Sequence, residues 1–292
     1  MIPKEILQRV RRIEIKTKSI VDSILSGEYH SVFKGRGIEF SEVRQYIEGD
    51  DVRSIDWNVT ARMGHPYVKK HTEERELTVM LVVDASSSGN FGTHLRFKDE
   101  IAVELCALLA FSAIKNNDRV GLIIFTTDVE KYIPPKKGKN HVLRVIRELL
   151  YFKPQKKQTD IGKAINFLNR VITKKSVVFL VSDFYSPDFK KPVSITAKKH
   201  DLIALRILDS KEKELPSIGF VEFFDAETGE LMLVNTSDKR VRDFYKKESE
   251  KRILDLSNFF ASHNIDEILI ETNKDYIDPL VKFFKKREKM LR

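Results

Sequence analysis

From Leu77 onward, short apolar runs rich in β-branched residues alternate with stretches of helical period, and this rhythm restricts the possible folds more than any other feature. The runs are Leu77 to Val83 (LTVMLVV), Arg119 to Phe125 (RVGLIIF), Ser176 to Val181 (SVVFLV), Leu202 to Leu208 (LIALRIL) and Glu267 to Ile270. Between and after them, about Leu95 to Ala113, His141 to Tyr151, Ile161 to Ile172, Val241 to Ala261 and Tyr276 to Arg287 read as helices. Strands apolar on successive residues need cover on both faces, and strands separated by helices join in parallel. The expected fold class is therefore α/β, a mostly parallel sheet with helices on both faces. A hairpin interrupts the rhythm at Val221 to Val234, where Asp225-Ala226-Glu227-Thr228-Gly229 supplies turn chemistry.

The part before the sheet has a different texture. From Ile2 to Leu25, apolar residues at Ile6, Val10, Ile13, Ile20, Val21 and Ile24 recur mostly at helical spacing, which predicts an amphipathic helix docked on the body. From Gly27 to Glu76 the chain is polar, with Gly35, Gly37, Gly49 and Gly64 and only short strand-like pieces. The expected division is an N-terminal extension over 1–76 and an α/β domain over 77–292. In the extension, Asp50 and Asp51 can accept hydrogen bonds from backbone or Arg53, and Trp57 is expected to anchor the segment by burying its ring. Arg36, Arg44, Arg53 and Arg62 could form a second contact surface, or be neutralised internally by the Asp and Glu residues that alternate with them. Gly35 and Gly37 make no dinucleotide fingerprint, because a third glycine and a strand-to-helix setting are missing.

Strands of an open α/β sheet bind ligands beyond their carboxyl ends, so the loops leaving the strands are where chemistry is expected. The first strand runs into Asp84-Ala85-Ser86-Ser87-Ser88. In an extended exit, residues two apart point the same way, so Asp84, Ser86 and Ser88 can converge. One carboxylate and two hydroxyls are hard oxygen donors that suit Mg²⁺ or Mn²⁺. Thr159, ahead of a helix, and Asp183, directly after the strand ending Leu180-Val181-Ser182, fall on the same edge of the sheet. Each of these residues can instead cap a helix or open a turn. Taken together, the constellation resembles the metal-ion-dependent adhesion site of von Willebrand factor A domains over roughly Leu77 to Ile207. That resemblance implies a von Willebrand A-like, Rossmann-like sheet with Asp84, Ser86, Ser88, Thr159 and Asp183 as the metal set, Asp183 often acting through water.

Composition limits the function classes. A 41% apolar content is too high for a disordered chain, and the longest nearly apolar run, Ile101 to Ile114, is shorter than the about 20 residues of a membrane span. The single cysteine, Cys106, cannot form an internal disulfide, and no secretory leader is visible, which points to a cytoplasmic location. The 52 Lys and Arg against 43 Asp and Glu give a net charge of +9, spread in doublets such as Lys136-Lys137 and Lys190-Lys191. No zinc-finger spacing or aromatic RNA-binding signature accompanies it, so nucleic acid is not the expected partner. No Walker A motif is present.

A second resemblance spans nearly the whole chain. Ser31 to Phe40 (SVFKGRGIEF), Arg44-Gln45-Tyr46, Gly49 to Trp57 (GDDVRSIDW), Ala61-Arg62, Glu222 to Glu230 (EFFDAETGE) and Phe283 to Arg287 (FFKKR) resemble the DUF58 family, which places such a segment before a von Willebrand A-like domain. The resemblance implies a non-catalytic, metal-dependent protein-protein interaction module. It further implies an adaptor working with a MoxR-type AAA+ ATPase in protein remodelling or activation, whose metal accepts a carboxylate from an acidic partner. Two alternatives remain open at this stage: a metal-assisted hydrolase using Asp84 and Asp183, and a basic nucleic-acid-binding protein.

Overall fold

A computed structural model describes residues 4–22, 29, 32, 39–72, 76–86, 97–224 and 231–291 of the chain. They form two compact units, one of Met1–Val32 with Thr78–Arg292 and one of Phe33–Leu77. The elements in chain order are α1 (Lys4–Ile20), β1 (Glu39–Gln45), α2 (Trp57–Met63), β2 (Tyr67–Thr72), β3 (Thr78–Asp84) and α3 (Lys98–Lys115). They continue with β4 (Arg119–Phe125), β5 (Val129–Lys136), α4 (Lys139–Leu150), α5 (Ile161–Val171), β6 (Val177–Ser182), α6 (Lys190–Lys199) and β7 (Asp201–Leu208). The last are β8 (Phe220–Phe224), β9 (Leu231–Asn235), α7 (Lys239–Ser262), β10 (Asp266–Glu271) and α8 (Ile277–Leu291).

The larger unit is built on a six-stranded sheet in the order β10-β7-β6-β3-β4-β5, all parallel except β5. This is the expected α/β class, a mostly parallel sheet with helices on both faces and a helix at the N-terminus. β3 supplies Met80 and Val82 to one face, where they meet Ile161, Ile165 and Leu168 of α5 and Phe260 of α7. The alternate residues Val79, Leu81 and Val83 are buried on the other face. There α3 packs with α1 and α4 and is buried almost all round, from Ile101 to Ala113 except for Glu104. α1 joins this layer through Lys16 Nζ to Glu104 Oε2 at 2.8 Å. The Cys106 thiol is fully buried in α3, and burial pushes its pKa up to about 12.

Two elements depart from the sequence pattern. β5 carries Pro134 and Pro135 and pairs on one side only, an edge position where a missing N–H is tolerated. α6 has only Val193 and Thr196 buried and holds Pro192 in its first turn, so its apolar period is too sparse to read.

In the smaller unit β1 pairs antiparallel with β2. Asp56 caps α2 by accepting from the backbone N–H of Asn58 at 3.0 Å and of Val59 at 3.3 Å, and Gly64 ends the helix in the left-handed region at φ 75°. Arg44 makes two bonds to Asp50, at 2.6 and 2.8 Å, and holds that carboxyl below its ordinary range. Asp51 accepts from the backbone N–H of Arg53 at 2.9 Å. The expected burial of Trp57 is not observed: the residue is 67% exposed, because it occupies the first turn of α2 on the outer side while its neighbour Asp56 takes the buried position. Arg36, one of the four arginines considered as a contact surface, lies outside the described residues.

His200, which follows α6, is 2% exposed, and among the described residues neither ring nitrogen has a hydrogen-bond partner. Burial, with a smaller contribution from Lys199, lowers its pKa to about 4. The unfolded chain takes up a proton near pH 6.5 that the folded chain refuses until about pH 4, so stability is full above pH 6.5 and is lost as pH falls across that window. Urea unfolding of His200→Leu at pH 7 and pH 5 is expected to show an acid-induced loss smaller than that of the wild type by about 2 kcal/mol. Equal losses in the two proteins would place the acid sensitivity elsewhere.

Candidate functional site

The strand order reverses between β3 and β6. The chain moves from β3 to β4 and β5 on one side and returns to β6, β7 and β10 on the other. At such a switch point the carboxyl ends of the two strands open a crevice that the following loops line. Asp84 ends β3 and Ser182 ends β6. Ser182 Oγ donates to Asp84 Oδ2 at 2.7 Å and itself accepts from the backbone N–H of Phe184 at 2.9 Å. The backbone N–H of Ser86 donates to Asp84 Oδ1 at 3.0 Å.

Thr159 reaches the same carboxylate from the loop before α5, its Oγ1 lying 3.3 and 3.4 Å from the two Asp84 oxygens. Its position is fixed by its neighbour. Asp160 donates its backbone N–H to the Thr126 carbonyl at 2.9 Å and caps α5 by accepting from Lys163 N–H at 2.8 Å. Asp160 therefore does the capping and Thr159 is left to face Asp84. Ser86, Thr159 and Asp183 are all buried.

Asp183 follows β6 and accepts from the backbone N–H of Tyr185 at 3.1 Å through Oδ1. The turn puts Phe184 at φ 63°, an uncommon conformation for a bulky residue, held by its contacts with Phe189 and Phe260. The other oxygen, Oδ2, accepts from Lys98 Nζ at 3.2 Å, and the same ammonium also bonds Glu212. Glu212 is fixed in turn, its Oε2 accepting from Asp209 N–H at 2.9 Å and its carbonyl from Ser249 Oγ of α7 at 2.7 Å. A cavity of about 30 Å³ is lined by Asp84, Lys98, Ser182 and Asp183 among others.

The electrostatics follow from this packing. Burial, then the nearby negative charge of Asp183, raises the Asp84 carboxyl to about 6, against the hydrogen bonds that favour its ionised form. Burial alone would pull the Lys98 ammonium down, but Asp183 and Glu212 together hold it above the ordinary lysine range. Burial raises Glu212 in spite of its bond to Lys98.

Of the five residues singled out from sequence, the structure gathers Asp84, Ser86 and Thr159 around one carboxylate. It sets Asp183 close enough to act on Asp84 through charge, with its own oxygens turned to Lys98 and Tyr185. Ser88 lies outside the described residues. Lys156, adjacent in sequence to this loop, is drawn away by Asp128, which also receives Lys163 at 3.2 Å. Lys98, Ser182 and Glu212 are functional candidates that sequence reasoning missed. Among the described residues no group of three or more His, Cys, Asp or Glu is placed to hold a metal, so any ion here must rely on hydroxyls beside two carboxylates. That donor chemistry fits a hard divalent cation: the Asp84 carboxylate lies within reach of the Asp183 charge, and the hydroxyl oxygens of Thr159 and Ser182 stand beside it.

The family model described as "Protein of unknown function DUF58" matches residues 42–253. The uncharacterized proteins Rv1480 of Mycobacterium tuberculosis and Mb1516 of Mycobacterium bovis are each 30% identical over 283 residues, which is 96% of this chain and 89% of theirs. Among solved structures, the conserved hypothetical protein BatB from Bacteroides thetaiotaomicron aligns with 73% of this chain and 99% of its own, at 16% identity and a TM-score of 0.48. The SpRpn10 VWA domain is weakly similar, aligning with 72% of this chain and 95% of its own at 10% identity and a TM-score of 0.41. On the family match and the full-length relatives, the chain belongs to the DUF58 family.

Proposed function

We propose that this chain is a non-catalytic, metal-dependent protein-interaction module. Asp84, Ser86 and Thr159 hold Mg²⁺ or Mn²⁺ with Ser88, and Asp183 acts through water. The single observation that carries this reading is the convergence of Asp84, Thr159 and Ser182 at the switch point, with the Asp84 carboxyl raised to about 6 by burial and by Asp183. A divalent cation relieves that repulsion and leaves positions for foreign oxygen ligands, which an Asp or Glu of a partner protein fills. Among the described residues, the groups that hydrogen-bond Asp84 are the hydroxyls of Ser86, Thr159 and Ser182 and the Ser86 amide, with no base to activate water, which favours binding over hydrolysis.

The partner is a MoxR-type AAA+ ATPase, for which this chain is the adaptor in protein remodelling or activation. This assignment rests on the resemblance of the chain to DUF58 proteins; any nucleotide hydrolysis belongs to the other chain. Capture of the ATPase by the immobilised full-length chain is expected in Mg²⁺ and lost in chelator and in Asp84→Ala. Capture that survives both treatments would contradict the reading. Two results would favour the alternatives: ester or phosphodiester turnover lost in Asp84→Ala would point to a hydrolase. Salt-sensitive nucleic-acid binding indifferent to Asp84 would point to a basic binding protein.

A further inference from the structure

The β8–β9 ribbon is apolar apart from Glu222 and Asn235, and among the described residues it is uncovered on both sides. Leu231, Met232 and Leu233 are 68%, 65% and 64% exposed, and Phe220 is 71% exposed. Successive strand residues point to opposite faces, so three exposed neighbours in a row mean that neither face of β9 is covered. The two strands pair with each other and, among the described residues, with no other strand. A lone two-stranded ribbon is marginal in water, and its edges invite pairing unless Lys, Pro or an inward charge guards them. β9 reads LMLVN and carries no such guard.

We propose that β9 pairs antiparallel with β9 of a second copy of this chain, across a two-fold axis at Leu233, to make a four-stranded sheet. Register and charge both favour this pairing. A five-residue strand pairs with its own copy over its full length only when its middle residue lies on the axis. In β9 that sets Leu233 opposite Leu233 of the second copy, Met232 opposite Val234, and Leu231 opposite Asn235, with no charge anywhere along the seam. The same operation on β8 sets Glu222 against Glu222, a directly opposed like-charge pair that disfavours that edge. The β8–β9 register puts Phe220, Leu231 and Leu233 on one face together with Glu222 and Asn235, so pairing at β9 joins the leucines of the two copies across the seam and leaves each Glu222 on the outer strand. A lipid surface is disfavoured, because Glu222 lies on the same face as Phe220 and Leu233 and would have to enter the bilayer with them.

Light scattering on the full-length chain, from low micromolar to about 100 µM, reads this directly. The expected result is a mass twice the 33.9 kDa of one chain, and a dimer dissociation constant at least about tenfold higher for Leu233→Lys. Leu233→Cys provides a second measurement that does not depend on the lysine variant folding. Opposed Cα atoms at the axis lie within disulfide range, so mild oxidation links two chains, whereas Glu222→Cys under the same conditions stays unlinked. The buried Cys106 takes no part. A wild type that remains at 33.9 kDa throughout would overturn the proposal, whether or not it sediments with phosphatidylserine vesicles or binds another protein through this edge. Equal crosslinking of the two cysteine variants would overturn the register.

Discussion

Lys98→Met is expected to cost about 3–5 kcal/mol of unfolding free energy at pH 7 in the presence of chelator, the largest effect of any substitution at the site. The Lys98 side chain is 4% exposed and its ammonium lies between Asp183, whose side chain is 3% exposed, and Glu212. The ion pair itself contributes little net stability, since desolvating the three groups offsets most of their attraction. Removing the cation alone is different, because it leaves two carboxylates facing one another in a low-dielectric site with Asp84 beside them. Among the described residues, Asp183 then keeps only the Tyr185 amide as a hydrogen-bond donor. Urea denaturation of both proteins checks the figure, and a loss below about 1 kcal/mol would show that the site tolerates the uncompensated charge. Mg²⁺ is expected to recover part of the loss, by supplying positive charge where the ammonium was.

The second large effect has the opposite sign. Asp84→Asn is expected to raise stability in chelator by about 2 kcal/mol at pH 7. The folded-state carboxyl titrates at about 6, above its ordinary value near 3.8, so the folded chain holds this proton more tightly than the unfolded chain. Wild-type stability therefore contains a favourable contribution at low pH that fades as pH rises from about 4 to about 6 and is absent at pH 7. Asparagine keeps the shape and an acceptor for the Ser182 hydroxyl or the Ser86 amide, and it carries no charge to titrate. The variant's stability is expected to change less than the wild type's between pH 4 and pH 6. A variant less stable than the wild type at pH 7 would mean that the hydrogen bonds to the carboxylate outweigh its burial beside Asp183.

The parallel core was legible because its strands are buried on both faces. Arg119–Phe125 matches its expected run residue for residue, and Ser176–Val181 and Leu202–Leu208 are displaced by one residue at most. The two omissions, β5 and α6, each combine proline with sparse apolar residues, so tertiary contacts rather than local pattern decide them. At the site, Asp84, Thr159 and Asp183 could be named from sequence because strand ends are recognisable before the sheet is assembled. Lys98 and Glu212 lie 114 residues apart, and a lysine or glutamate read in isolation belongs to the solvent face. One signal was present. Lys98 opens an almost wholly apolar helix at its positive end, where a cation is disfavoured unless a carboxylate answers it. Trp57 shows the reverse error, an aromatic taken for an anchor where the neighbouring Asp56 fixes the turn through its cap.

On the proposed function, the switch-point oxygens bind a divalent cation. Isothermal titration of the full-length chain with Mg²⁺ and with Mn²⁺ at fixed ionic strength tests it directly, with Asp84→Asn as the comparison. Saturable uptake of one ion by the wild type and none by the variant is expected, with a matching metal-dependent rise in the wild-type unfolding midpoint alone. No uptake by the wild type, or uptake unchanged in Asp84→Asn, would contradict it.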